Sequence, residues 1–290
     1  MICTLCPRNC GAERTAERAG GVCGQPMLPV AARAMLHLWE EPCLVGEHGA
    51  GTVFFTGCNL RCCFCQNRPI SRGQVGRPVT AERLREIFRE LIAAGAACLD
   101  LVTPTHFTPV ILEALGDEAW PVPVVWNCGG YEKPDTLRLL EGRVQVYLPD
   151  LKYALPGPAG RYSGAADYFQ WATAAILEMF RQTGPCRMEG GLLKQGVLIR
   201  HLLLPGELEN TRQVIDWVAA AFRPGDVLFS LMSQYTPQPG AQGTLARHVT
   251  AAEYRAAVEY LGNCGITGGY TQERTSAREE YTPDFDLTGL

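Results

Sequence analysis

Six short runs of almost unbroken apolar residues punctuate the chain after residue 50. They are T-V-F-F-T (52–56), A-C-L-D-L-V-T (97–103), V-P-V-V-W-N (122–127), V-Q-V-Y-L (144–148), G-V-L-I-R-H-L-L-L (196–204) and V-L-F-S-L-M (227–232). Strands apolar on both faces belong in a parallel sheet covered by helices. Between them the apolar positions recur with a helical period. The first predicted helix is capped by Thr80 and runs to about Ala94, with Glu82, Arg83, Arg85 and Glu86 on its wet face. Others are predicted over 107–115, from Pro134 to Leu140, and over 165–183, 210–222 and 251–261. Six strand–helix units make an α/β fold. We read it as a partial (β/α)6 barrel of parallel strands, of the triosephosphate isomerase type, with a doubly wound open sheet as the alternative. Either one puts the site at the carboxyl ends of the strands.

The flanks behave differently. Residues 1–26 are rich in Cys, Gly and Arg and lack a hydrophobic period, as expected of a small metal-stapled module. Residues 27–50 read as a connector that includes W-E-E-P (39–42). The expected division is therefore a Cys-rich module with its connector over 1–50, and the barrel with a C-terminal extension over 51–290. The extension, 278–290, is extended and polar, either disordered or a strap over the barrel. A-L-P-G-P-A-G-R-Y-S-G (154–164) reads as a Gly/Pro-rich loop that gates the site.

Bulk properties narrow the classes. The chain has 290 residues, 47% hydrophobic and 19% charged, enough to bury a large core. A net charge of -4 and a pI near 5.8 give no footprint for nucleic acid or anionic lipid. No apolar run reaches the ~18 residues of a membrane span, and M-I-C-T-L-C-P-R-N-C lacks the apolar core of a signal peptide. The expectation is a soluble cytoplasmic protein with no nucleic-acid or membrane partner. Neither a P-loop nor a G-x-G-x-x-G is present.

The 13 cysteines change the picture. In a reducing cytosol, clustered thiols are metal ligands or catalysts more often than disulfides. Cys3, Cys6, Cys10 and Cys23 form one group, and Cys58, Cys62, Cys63 and Cys65 another. Cys43, Cys98, Cys128, Cys186 and Cys264 are scattered, as small buried hydrophobes would be. In G-C-N-L-R-C-C-F-C-Q (57–66) the spacing is Cys58-x3-Cys62-x2-Cys65, at the end of the first strand. Adjacent side chains point apart, which leaves Cys63 out of the set. Three thiolates can hold three irons of a [4Fe–4S] cube and leave the fourth open to a reactant.

This motif resembles the C-x3-C-x2-C signature of the radical S-adenosylmethionine superfamily, including an aromatic residue, Phe64, before the last Cys. C-T-L-C-P-R-N-C-G, W-E-E-P-C, G-T-V-F-F-T-G-C-N-L-R-C, L-V-T-P-T-H-F and Y-L-P-D-L-K-Y resemble the branch similar to the pyruvate formate-lyase activating enzyme. The resemblance implies that Cys58, Cys62 and Cys65 ligate a [4Fe–4S] cluster whose open iron binds S-adenosylmethionine. One electron then yields methionine and a 5'-deoxyadenosyl radical that abstracts hydrogen from a substrate. It also implies a reductant such as flavodoxin or ferredoxin.

The other strand ends supply candidate cofactor contacts. The superfamily's usual G-G-E is replaced by Thr103-Pro104-Thr105-His106, where Thr103 and Thr105 hydroxyls or carbonyls can accept from the cofactor's ammonium. The third strand ends at Asn127-Cys128-Gly129-Gly130, whose glycines allow close backbone approach. By resemblance, Asp150 and Lys152 of P-D-L-K contact the methionyl and ribose parts. Of Arg200 and His201 only one can face the barrel interior, and Arg200 is preferred, near the cofactor carboxylate. Met232 lies against the adenine or in the core. Glu40 and Glu41 are either a substrate-side pair or a solvated one.

Cys3-x2-Cys6-x3-Cys10-x12-Cys23 fits a structural zinc or a second [4Fe–4S] cluster, zinc being favoured by the C-P-x-x-C knuckle. Three functions are compatible with these features: a radical enzyme acting on a protein as a glycyl radical activase, one modifying a small molecule or peptide, and a non-catalytic iron–sulfur or zinc scaffold.

Overall fold

A computed structural model describes residues 2–272 and 282–290. Ten strands are present among them: β1 (Val30–His37), β2 (Ala50–Phe55), β3 (Arg77–Pro78), β4 (Leu99–Val102), β5 (Val124–Cys128), β6 (Val146–Pro149), β7 (Arg187–Glu189), β8 (Leu192–Leu202), β9 (Leu228–Met232) and β10 (Gly269–Thr271). The helices are α1 (Pro42–Val45), α2 (Arg68–Ser71), α3 (Ala81–Ala93), α4 (Thr108–Leu115), α5 (Pro134–Arg138), α6 (Pro156–Ser163), α7 (Tyr168–Thr183), α8 (Leu208–Ala221) and α9 (Ala251–Asn263). Their order in the sheet is β10-β9-β8-β6-β5-β4-β2-β1-β3, with β7 paired to β8. From β2 through β10 neighbours on this path run parallel, and β1 is antiparallel to β2. The sheet is open between β3 and β10, and it forms a partial barrel of six β/α units with helices outside.

The helices follow from their sequences. Thr80 accepts from Arg83 N and caps α3, and Leu84, Ile87, Phe88 and Leu91 are its buried stripe. Each such side chain contributes roughly 1.5–3 kcal/mol by leaving water. The predicted helix over 165–183 is present as α7, and a further helix, α6, precedes it. α6 starts with Pro156 in its first turn and stops at Gly164, whose φ of 57° is left-handed. α7 begins at Tyr168. The predicted gating loop 154–164 is thus mainly α6, because burial of Pro158, Ala159 and Tyr162 outweighs the poor propensity of its glycines.

The pleat sorts side chains by layer. Val53, Phe55, Leu101, Trp126, Tyr147, Ile199 and Phe229 belong to the main core cluster under the helices. Ala50, Cys98, Val125, Val146 and Leu198 form a smaller apolar cluster with Cys43 and Leu44 of α1. Between this floor and the strand ends lies a polar layer: Thr52, Asp100, Asn127, Arg200 and Ser230.

The connector holds a strand that sequence reasoning missed. β1 leaves the sheet at the amino end of β2, where His37 pairs with Ala50. The chain then turns inward as Glu40, Glu41 and α1, flooring the barrel. At the other flank, Leu287 N donates to Ala32 O at 3.0 Å and Ala34 N to Thr288 O at 3.0 Å. Residues 284–290 thus strap along β1, and Phe285 packs edge-on to Phe54 at 5.6 Å. Residues 278–281 of the polar stretch lie outside the described residues.

Candidate functional site

The thiol loop leaves β2 at its carboxyl end. Gly57, with φ 86°, begins it: a Cβ there would lie 2.9 Å from Cys23 O. Arg61 also takes a left-handed φ of 55°, which lets the chain turn back between Cys58 and Cys62. Phe64 is buried and meets Tyr153, Tyr162 and Tyr235 edge-on at 6.3–6.5 Å, so it anchors the loop in an aromatic box. Cys63 is exposed and its N donates to Tyr162 O at 2.9 Å, while Cys62 is buried and accepts from Ser163 Oγ at 2.9 Å. The neighbours do point apart.

Two of the remaining thiols of the loop, Cys58 and Cys65, are shifted by their surroundings. Burial, followed by the charges of Cys62 and Cys65, pushes the Cys58 thiol up to about 12. Burial and Cys62 likewise raise Cys65, against a lowering influence from Lys152. All thirteen cysteines are free thiols. Among the described residues no three Cys, His, Asp or Glu side chains stand in ligating geometry, so a shared ion would require side-chain rotation within each thiol set.

Below the loop, the strand ends meet in one charge network. Arg200 donates from Nε to Asp150 Oδ1 at 3.0 Å, from Nη1 to Glu40 Oε1 at 3.0 Å, and from Nη2 to Asn127 Oδ1 at 2.6 Å. Asn127 Nδ2 donates to Glu40 Oε2 at 3.0 Å. Lys152 Nζ donates to Asp150 Oδ2. Burial opposes the charge on Asp150, yet Lys152 and Arg200 outweigh it and hold the carboxyl below its usual range. Burial likewise works against Lys152 and Arg200, and Asp150 leads the influences that leave both raised. All three guanidinium nitrogens of Arg200 are thus engaged by protein. His201 faces away from this layer: its ring nitrogens meet Leu151 O at 2.6 Å and Thr211 Oγ1 at 2.9 Å, and burial lowers it to about 4.

Thr103, just after β4, has φ 60°, a strained conformation for a β-branched residue, and its N donates to Asn127 O at 2.8 Å. Thr105 lies in a 3-10 turn and donates from Oγ1 to Glu132 Oε1 at 2.6 Å. Met232 is buried at the end of β9. Glu40 and Glu41 are not a solvated pair. They rise from the barrel floor, and burial followed by the charge of Glu40 raises Glu41 to about 7.

Sequence reasoning missed two carboxylates. Asp100 is fully buried and accepts from Thr52 at 3.3 Å and Asn127 at 3.4 Å, while its Oδ1 has no partner. Burial and then Glu40 hold it well above the usual carboxylate range. A lone Asp in an otherwise apolar strand was the available signal. Glu132 follows the Gly129-Gly130 turn, is 1% exposed, and has an unpartnered Oε2; burial raises it to about 8.

The N-terminal module packs on these same strand ends. Arg14 is buried, donates to Cys3 Sγ at 3.3 Å and to His106 O at 2.8 Å, and lies 6.0 Å over the Phe107 ring. A groove of about 460 Å³, lined by Trp120, Arg143, Gln145 and Lys194 among others, opens at the opposite, amino end of β5 and β6. It contains none of the predicted site residues.

No family model matches the chain. It is 29% identical over 269 residues to an uncharacterized protein of Methanocaldococcus jannaschii, covering 89% of this chain and 73% of the relative. Among solved structures it is similar to a cysteine-to-alanine mutant of spore photoproduct lyase, with a TM-score of 0.51 and 12% identity over 81% of this chain and 79% of that one. It is also similar to HydG, a maturase of the [FeFe]-hydrogenase, with a TM-score of 0.51 and 14% identity over 77% of this chain. These likenesses show the fold. The chain spans about half of HydG, 52% of its length.

Proposed function

We propose that the chain is a radical S-adenosylmethionine enzyme, with Cys58, Cys62 and Cys65 holding a [4Fe–4S] cluster. The observation that carries this reading is three thiols gathered on one loop at the carboxyl end of the first parallel strand, with Cys62 buried and Cys58 and Cys65 half-buried. The donor set fits the group, because a cationic centre offsets the burial that keeps Cys58 and Cys65 protonated and stabilises the thiolates. The fold neighbours are radical S-adenosylmethionine enzymes, which supports the reading. When bound, the cluster supplies the electron that splits S-adenosylmethionine into methionine and a 5'-deoxyadenosyl radical, which takes a hydrogen atom from substrate.

The chain's own residues bind and orient. Lys152, held by Asp150, offers an ammonium beside the loop for a carboxylate. Arg200, itself held by Asn127, fixes Asp150 rather than leaving a free cation in the site. The strained turn at Thr103 presents backbone acceptors for an ammonium. Phe64 keeps the loop in its aromatic box. Cys3, Cys6, Cys10 and Cys23 hold a second metal, zinc or another cluster. The branch resemblance favours an activase role, with a flavodoxin or ferredoxin as reductant.

The test is anaerobic reconstitution with iron and sulfide, with iron, sulfide and zinc counted per chain. About four irons that vanish in Cys58→Ala or Cys62→Ala support the reading; iron content indifferent to both substitutions contradicts it. For the activase role, a glycyl radical signal on a partner enzyme after turnover is the expected result, and its absence with every candidate partner overturns that part.

A further inference from the structure

Arg8 connects the two thiol sets. It sits in the C-P-R-N-C knuckle between Cys6 and Cys10, yet its side chain leaves the N-terminal module. Nε donates to Asn59 O at 2.7 Å, Nη2 to Ser163 O at 2.7 Å, and Nη1 to Gly164 O. The guanidinium lies 5.2 Å over the Tyr131 ring. Every one of these partners bears on the thiol loop. Asn59 follows Cys58 directly, and its Nδ2 donates to Tyr131 O at 2.7 Å. Ser163 donates its hydroxyl to Cys62 Sγ at 2.9 Å. One cation therefore ties together the first turn of the loop, the turn after β5 and the end of α6. A planar fork suits three carbonyls from two segments, where an ammonium does not.

A second junction lies alongside. Arg61 Nη1 donates to Val22 O at 3.4 Å. The backbone of Cys23 packs so closely on Gly57 that a Cβ there would stand 2.9 Å from the Cys23 carbonyl. Cys10 lies against Gly21: with φ 74°, a Cβ at that glycine would be 2.8 Å from Cys10 Sγ. Cys10 and Cys23 of the N-terminal set thus flank the segment that presses on the start of the loop.

Beyond Arg8, the knuckle is tied to the barrel by two side chains of the segment after β5: Lys133 Nζ donates to Asn9 Oδ1, and Thr136 Oγ1 donates to Leu5 O at 2.8 Å. Within residues 2–26 the backbone ladder consists of two isolated bridges, Ile2–Glu13 and Gly20–Gln25, and Cys10 is exposed. Such a segment takes its order from ligation more than from burial. Whatever fixes Cys6 and Cys10 fixes Arg8 between them.

We propose that the N-terminal thiol set is a metal-dependent clamp on the thiol loop, with Arg8 as the positioning residue. Metal held by Cys3, Cys6, Cys10 and Cys23 sets Arg8, and Arg8 sets Asn59, Tyr131 and the end of α6 around Cys58 and Cys62. The clamp rests on the reading of the loop as a cluster site, and extends it by making loading of one site depend on the other.

The test uses the full chain with Cys58, Cys62 and Cys65 all changed to Ala, so that among the two sets only the N-terminal one can take metal. Zinc is titrated in, and hydrogen exchange is followed at the amides of 57–65. The expected result is one zinc per chain and at least tenfold slower exchange across the loop. With Arg8→Ala added, zinc binds at the same stoichiometry and the slowing is lost. Slowing that survives Arg8→Ala, zinc that binds without slowing the loop, or no zinc binding overturns the clamp. Protection of the β8 amides reports that the variant is folded; if it is not, Arg8→Lys serves in its place. With the loop cysteines restored, Arg8→Ala is expected to lose at least half of the loop iron. Equal iron in the chain with and without the three loop cysteines would instead sink the cluster reading itself.

Discussion

The charges inside the barrel answer one another, whereas the thiols of the loop above them do not. Arg200 has a partner for each of its nitrogens, and Asp150 has a cation on each oxygen. That network keeps its shape without any ligand. Burial, followed by the neighbouring Cys62, raises Cys58 and Cys65, and at Cys65 Ser71 and Lys152 offset only part of that rise. One region is preorganised; the other is built to be completed. The contrast explains how a rigid floor can present a site whose ligands come from a loop.

The sharpest break of this comparison is at the loop. Cys62→Ala should remove cluster iron almost entirely while leaving the unfolding midpoint of the metal-free chain within about a degree or two, because a buried Cys→Ala change removes only one small group. Arg200→Met should do the opposite. It strands Glu40 and Asp150 in the interior and should lower the unfolding free energy by about 3–5 kcal/mol, read by urea melts.

A third effect separates the carboxylates that the network leaves out. Glu132 titrates near 8 when folded and at an ordinary carboxylate value when unfolded, so the folded chain holds the extra proton between those values. Its contribution is fully present below the unfolded value and is lost as pH rises through about 8. Stability should therefore fall by on the order of 3 kcal/mol between mildly acidic and mildly alkaline pH. Glu132→Gln should flatten that slope; an unchanged slope would show that the proton is held elsewhere.

The smallest effect sharpens the comparison at the thiol itself. Ser163→Ala removes the hydroxyl donated to Cys62 Sγ. A lost hydrogen bond to a thiolate should lower the reduction potential of the reconstituted cluster by about 20–60 mV, measured by EPR-monitored titration.

Much of the barrel was legible because its strands are apolar on both faces, and that signal survives without tertiary knowledge. The carboxyl-end placement of the thiol loop followed from it. Three features were hidden for identifiable reasons. β1 reads as connector because its alternation is interrupted by small alanines that pack against β2. α6 reads as a loop because two prolines and two glycines outweigh its buried face by propensity, and only packing restores the helix. Glu40 reads equally as substrate-side or solvated because nothing local says that the chain turns inward after β1. Arg8 was invisible for a similar reason: its role lies in three carbonyls more than fifty residues away.

The most direct test of the central claim is cofactor cleavage. The reconstituted wild-type chain is reduced with dithionite under argon and given S-adenosylmethionine, and 5'-deoxyadenosine is followed by chromatography beside Cys58→Ala and Cys62→Ala. The account predicts 5'-deoxyadenosine and methionine from the wild type and none from either variant. A fully loaded, reduced wild-type cluster that binds S-adenosylmethionine and yields no more 5'-deoxyadenosine than the variants, with or without candidate substrates, would contradict it.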